Sequence, residues 1–194
     1  GLGRGAIGTA AELVAVRAAQ AVPLPEGTGF VEAAALGVPA MTAQAALLTD
    51  GPINGMSVLV TGGAGAVGSL AIQMAKWAGA TRIVTTVSSD AKAQVAMADG
   101  ADAAVNYREL GIGDELRDAL LDANGGRKFD RMVDVDFGSY INLSAQVLHH
   151  GAVIGTYASM SEPKPTVDFY PLMMNNITIR LVEVYAQSPA RFAE

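Results

Sequence analysis

Two periods alternate along the chain. Short apolar runs rich in β-branched residues read as strands covered on both faces: Val58 to Val60, Arg82 to Val87, Ala103 to Tyr107, Phe129 to Val135, Gly151 to Gly155 and Ile177 to Tyr185. Between them apolar positions recur at helical spacing. They are Val67, Leu70, Ala71, Met74 and Ala78, then a helix capped by Ser89 or Asp90 and running to Asp99, then Leu116, Ala119, Leu120 and Ala123, and finally Ile141, Ala145 and Leu148. Gly79, Gly100 and Gly125-Gly126 stop the first three helices, and a loop with Pro163, Pro165 and Pro171 precedes the last strand. Ahead of this rhythm, Leu13, Val14 and Val16 give residues 10–22 a strand-like pattern that ends at Pro23-Leu24-Pro25. Thr28 then fits the N-cap of a short helix through Leu36, and Pro39 opens a second through Leu48, closed by Asp50-Gly51-Pro52.

Strands that alternate with helices predict an α/β fold with a doubly wound, six-stranded parallel sheet, right-handed crossovers and a ligand at the carboxyl ends of the strands. Residues 26–194 would form this unit with its leading helices, and residues 1–25 belong to something upstream. Both termini read as cut. The chain opens in GLGRGAIG without methionine and closes on SPARFA, the start of a further helix, so part of the natural protein is expected to be missing.

The first strand ends in glycine. Gly63, Gly65 and Gly68 fit G-x-G-x-x-G, in which the first permits a tight turn, the second a close phosphate and the third tight helix–strand packing. Placed between a strand and a helix, this is the Rossmann fingerprint. The N–H groups and positive dipole end of the following helix make an anion site without a lysine.

Composition narrows the partners. With 51% hydrophobic and 16% charged residues over 194 positions, the chain has ample interior, and its net charge of −6 argues against nucleic acid or an anionic membrane. There is no cysteine, hence neither disulfide nor thiolate metal site, which suits a cytoplasmic location. No apolar run is expected to be long enough to cross a bilayer.

The second strand decides the nucleotide. An NAD site usually places a carboxylate there, about 20 residues beyond the glycines. Here stand Val87, Ser88 and Ser89, with Lys92 one helical turn on: hydroxyls and a cation that suit the 2′-phosphate of NADP. Asp90 fits the helix N-terminus better than it fits a ribose, and Lys92 fits either the phosphate or an ordinary solvated position.

The runs VLVTGGAGAVGSLAIQMAKWAGA and VSSDAKAQVAMADGADAAVNYRE resemble the zinc-free quinone oxidoreductase (zeta-crystallin-like) branch of the medium-chain dehydrogenase/reductase superfamily, from about Gly5 to the end of the chain. The resemblance implies that Lys92 and Tyr107 contact the 2′-phosphate of NADP(H). It also implies that Gly65, Ala66 and Val67 face the pyrophosphate, that Ser88 lies at the adenosine ribose, and that Gly155 to Tyr157 and Thr42 lie near the nicotinamide. Packing explains Thr42 and Tyr157 equally well. Residues 1–25 would be the remnant of a GroES-like β domain, and the strand at 177–185 would pair across a twofold axis into a homodimer.

Zinc-dependent relatives carry a cysteine four residues before the threonine. Here the position is Val38, and the only histidines, His149 and His150, sit together near a helix end, so no metal site is expected. The implied activity is hydride transfer from NADPH to a quinone, activated alkene or carbonyl acceptor. That reaction asks the protein mainly to hold the cofactor against the acceptor and exclude water, and no catalytic residue stands out. Tyr-x-x-x-Lys, G-x-S-x-G and Gly-Lys-Ser/Thr are absent, which removes short-chain dehydrogenases, serine hydrolases and P-loop proteins. An enoyl reductase of the same superfamily and a non-catalytic NADPH sensor remain as alternatives.

Overall fold

All six runs expected as strands from residue 57 onward pair in one sheet of the computed structural model, which describes residues 11–16, 18 and 21–185. The elements in order are α1 (Phe30–Leu48), β1 (Ser57–Val60), α2 (Ala66–Trp77), β2 (Arg82–Val87), α3 (Asp90–Ala98), β3 (Ala103–Asn106), α4 (Tyr107–Leu110), α5 (Asp114–Ala123), β4 (Phe129–Asp134), α6 (Phe137–Val147), β5 (Leu148–Thr156), α7 (Phe169–Met174) and β6 (Thr178–Leu181). The spatial order is β3-β2-β1-β4-β5-β6, with every pair parallel. The chain winds outward from β1 to β3 and returns to β4 on the other side of β1. That reversal leaves a crevice at the carboxyl ends of β1 and β4.

Alternate residues of each strand feed two cores. Val58, Val60, Ile83 and Val133 pack against Ala43, Ala46 and Leu47 of α1, Ala71, Ile72 and Ala75 of α2, and Ala96 of α3. Leu59, Val84, Met132 and Ile154 pack on the opposite face against Leu116 and Leu120 of α5 and Tyr140, Ile141 and Leu143 of α6. Burying one such Leu or Ile side chain stabilises the fold by roughly 1.5–3 kcal/mol, so the two-sided sheet holds the crevice rigidly.

Several expectations are corrected. Among the described residues before α1 there is no strand, and Leu13 is 92% exposed. A strand needs a neighbour to satisfy its backbone, and residues 11–16 have none in this sheet. Residues 1–10 and the expected helix at SPARFA lie outside the described residues. Gly29 rather than Thr28 caps α1, its N–H donating to Glu32 at 2.7 Å. The two helices expected there run together with a break at Gly37, two residues before Pro39. By length and composition α1 could cross a bilayer, with a mean hydropathy of 1.4, contrary to expectation. Its second half is core, with Ala43, Ala46 and Leu47 wholly buried.

β3 stops at Asn106, so Tyr107 opens α4, and the Pro171 loop contains α7. The last strand is shorter than expected, Thr178–Leu181. His149 and His150 lie in β5, because α6 ends at Val147 and Leu148 turns extended. They therefore stand just past the C-cap of α6, in the strand rather than in the helix. His149 Nε2 instead lies 2.5 Å from Asp130 Oδ1.

Past the end of α1, Asp50 receives Nε and Nη2 of Arg180 from β6, each at 2.5 Å. Arg131 of β4 donates to the Asp50 carbonyl at 3.3 Å. Arg131 is 2% exposed, and its Nε and Nη1 find no acceptor among the described residues. Burial lowers its pKa, with Asp50 opposing and Arg180 adding to the effect.

Candidate functional site

The glycines divide the labour differently from the expected scheme. The sharp bend is made by Gly62, at φ +68°, one residue before the fingerprint begins. Gly63 is a packing glycine: a Cβ there would run into Thr85 Oγ1 and Ile72. Gly68 has the same role, since its Cβ would collide with the Gly62 carbonyl. Gly65 faces outward as the N-cap of α2, where a Cβ would meet only the Gly62 oxygen at 3.2 Å. Gly65 and Ala66 are exposed and Val67 is half-buried, whereas Gly63 and Gly68 are buried.

The turn is held from below. Gly62 N–H donates to Thr86 Oγ1 at 3.1 Å, Gly63 N–H to the Thr86 carbonyl at 3.1 Å, and Gly65 N–H to the Gly62 carbonyl at 2.9 Å. Ser69 N–H is the first to bond back along α2, to Gly65 at 2.9 Å. The N–H groups of Ala66, Val67 and Gly68 therefore have no partner in the helical ladder, at the positive end of the α2 dipole. This is an anion cradle built from main chain.

At the end of β2, Ser88 is half-buried and Ser89 caps α3, accepting from Lys92 N–H at 3.4 Å. Ser89 thus takes the cap, and Asp90 occupies the first turn. The Lys92 side chain is exposed and forms no ion pair among the described residues. Tyr107 packs half-buried beside the α5–α6 core.

On the far side of the crevice, Gly155 is needed for packing, because a Cβ there would strike the backbone of Ala46 in α1. Thr42 is 6% exposed and donates its hydroxyl to the Val38 carbonyl at 2.8 Å. Tyr157 is half-buried next to the α1–α2 core, and burial followed by the charge of Asp134 pushes its phenol pKa up. The expected residues fall into two groups: the glycine turn with Ser88, Ser89 and Lys92 on the β1–β2 side, and Gly155 with Tyr157 on the β5 side, where α1 lies against Gly155.

Sequence reasoning missed the buried polar floor between those groups. Asp134, 1% exposed, accepts from Thr61 Oγ1 at 2.8 Å, from Thr156 Oγ1 at 3.0 Å and from Asp136 N–H at 3.2 Å. Burial raises its pKa despite these donors. Thr86 Oγ1 also meets the Tyr140 hydroxyl at 3.3 Å, and burial pushes that phenol up to about 12. No signal for it was available in the sequence, since Asp134 follows Asp130 and Arg131 in the same strand and nothing local marks it out.

Among the described residues no group of three His, Cys, Asp or Glu could hold a metal ion. Val38 offers no ligand, and His149 lies at the opposite end of the sheet from the glycine turn, so the residues present do not fit a catalytic zinc.

Comparison with known proteins agrees with this geometry. Residues 66–194 match the family described as zinc-binding dehydrogenase. The chain is 37% identical over 148 residues to 2-methylene-furan-3-one reductase of Solanum lycopersicum, covering 74% of this chain and 38% of that protein. It is 36% identical over 121 residues to the chloroplastic NADPH-dependent alkenal/one oxidoreductase of Arabidopsis thaliana, covering 61% and 31%. The crystal structure of Escherichia coli quinone oxidoreductase complexed with NADPH superposes with a TM-score of 0.73 at 28% identity, covering 86% of this chain and 50% of that one. The chain thus spans half or less of the length of these relatives. The family match runs from the first residue of α2 onward, and together with the relatives just named it shows that the chain belongs to the zinc-binding dehydrogenase family, in the quinone oxidoreductase branch of the medium-chain dehydrogenase/reductase superfamily.

Proposed function

We propose that this chain is the cofactor-binding part of a cytoplasmic NADP(H)-dependent oxidoreductase that reduces a quinone or an activated alkene or carbonyl, without zinc. The observation that carries the reading is the glycine turn with its outward-facing Gly65 at the start of α2, together with an exposed Lys92 in α3 that forms no ion pair among the described residues. Gly63 and Gly68 set the shape of the turn; Gly65, Ala66 and Val67 hold the pyrophosphate. Ser88 takes the adenosine ribose, while Ser89, Lys92 and Tyr107 take the 2′-phosphate, which a carboxylate at this strand end would repel. Bound there, the dinucleotide supplies a hydride equivalent at its nicotinamide. Thr42, Gly155 and Tyr157 flank the nicotinamide end, and the half-buried phenol of Tyr157 stays protonated as a neutral wall that excludes water. The names of the relatives, a furanone reductase, an alkenal/one oxidoreductase and quinone oxidoreductases, support an acceptor with a carbonyl-conjugated double bond.

Titration of the intact protein with NADPH and NADH tests the cofactor assignment. Lys92→Ala should weaken NADPH by about 1.5–3 kcal/mol, the range for a hydrogen bond to a charged group, and leave NADH nearly unchanged. Equal losses for both would remove Lys92 from the site. Oxidation of NADPH by quinones and enones, but not by enoyl thioesters, is the expected turnover, and binding without turnover on any acceptor would favour a sensor.

We further propose a homodimer through β6. It is the edge strand, with Leu181 76% exposed and Ile179 also facing solvent, an edge too apolar to stay unpaired. A monomer in light scattering across a concentration series would refute it.

A further inference from the structure

We propose that Asp134 is a positioning residue that fixes the gap between the glycine turn and the 155–157 segment, and so sets where the nicotinamide half of the cofactor lies relative to the pyrophosphate half. This rests on the dinucleotide reading above. β1 and β5 are not neighbours in the sheet, since β4 lies between them. Their carboxyl ends are joined through one side chain: Asp134 Oδ1 accepts from Thr61 at 2.8 Å and Oδ2 from Thr156 at 3.0 Å. Thr61 immediately precedes Gly62, where the turn begins, and its Oγ1 also accepts from Val135 N–H at 2.9 Å. Thr156 stands between Gly155 and Tyr157. A shift of either hydroxyl is therefore felt at both flanks of the crevice.

Strand register alone does not call for a carboxylate here. Backbone pairing already fixes the register, with Val60 opposite Val133 and Asp134 opposite Thr156. An apolar residue of similar size would avoid the desolvation that raises the Asp134 pKa, but would leave the buried Thr61 and Thr156 hydroxyls without an acceptor. A carboxylate can accept from both sides at once, which an apolar residue cannot, and that two-sided grip is the property the crevice uses.

The test uses the intact protein and two probes: NADPH, which spans the crevice, and adenosine 2′,5′-bisphosphate, which reaches only the turn and the β2 side. For Asp134→Ala we expect NADPH binding to weaken about tenfold or more while the bisphosphate changes less than about twofold, since small misplacements are costly only for the group that must span the gap. Asp134→Asn, which can accept from one hydroxyl and donate to the other, should restore most of the loss. Thr156→Val removes one arm and should show the same split at smaller size, which keeps the test open if Asp134→Ala does not fold. Equal weakening of both probes, or NADPH binding unchanged in folded Asp134→Ala or in Thr156→Val, overturns the proposal. Failure of the unsubstituted protein to bind either probe would overturn the dinucleotide reading itself.

Discussion

The two ends of the sheet repeat one device with opposite electrostatic results. At the amino end, Ser57 of β1 donates both its N–H and its hydroxyl to Asp130 of β4, each at 2.7 Å. At the carboxyl end, four residues further along each strand, Thr61 donates to Asp134 at 2.8 Å. Burial opposes ionisation at Asp130, but the Ser57 donors and His149 outweigh it and hold the carboxyl below the usual range. At Asp134 burial wins and the pKa rises. A hydroxyl residue facing an aspartate in the same register thus gives a part-exposed clamp at one end and a buried, charge-strained brace at the other. The strained one lies under the crevice, where perturbed groups collect at functional sites.

Removal of each carboxylate gives the largest contrast. Asp134→Ala leaves two hydroxyls and an N–H without their acceptor in a dry environment, and should cost about 3 kcal/mol in urea unfolding at neutral pH. Asp130→Ala, whose side chain is 30% exposed, should cost about 1 kcal/mol because water replaces the lost acceptor. Equal costs would break the contrast. The hydroxyls follow the same logic at smaller size. Thr61→Val should cost about 1.5 kcal/mol, since Val135 N–H also loses its acceptor. Ser57→Ala should cost about 0.5–1 kcal/mol, because the Ser57 N–H still reaches Asp130.

Acid titration sharpens the comparison by sign. Asp130 has a folded pKa below its ordinary value of 3.8, so its contribution is present above that pH and is lost as pH falls through the folded value. Asp134 has a folded pKa above 3.8, so the folded state takes up a proton first, and stability is gained as pH falls from that value towards 3.8. Unfolding midpoints measured from pH 7 to 3 should therefore fall less steeply in Asp130→Asn and more steeply in Asp134→Asn than in the parent. Parallel shifts would deny the difference in burial. The smallest effect belongs to His149→Gln, where an exposed pair is lost: within about 0.5 kcal/mol at neutral pH.

The sheet was legible because its evidence is local. Val58–Val60 and Arg82–Val87 declare themselves within a few residues, and the glycines fall between a strand and a helix. Which glycine bends was not legible: the fingerprint names Gly63, but the positive φ is at Gly62, and Gly63 is there because Thr85 sits above it. The brace under the crevice was invisible for a stronger reason, since Thr61 and Asp134 are 73 residues apart and no pattern within a segment records a contact between segments. The strand expected at 10–22 differs in the opposite way, its described residues carrying a local pattern without a sheet neighbour. Likewise, the histidine pair at 149–150 looked helical until Leu148 turned extended, and its role comes from Asp130, 19 positions earlier than His149.

Where Gly155 passes beneath Ala46, helix and strand meet main chain to main chain with no side chain between them. Thr42 stands one helical turn before Ala46, on the same face of α1. A single methyl group at position 155 would therefore act as a shim under the lever: it would push the helix off the strand and carry Thr42 with it, straining as well the core that Ala43, Ala46 and Leu47 share with Ala71 and Ala75.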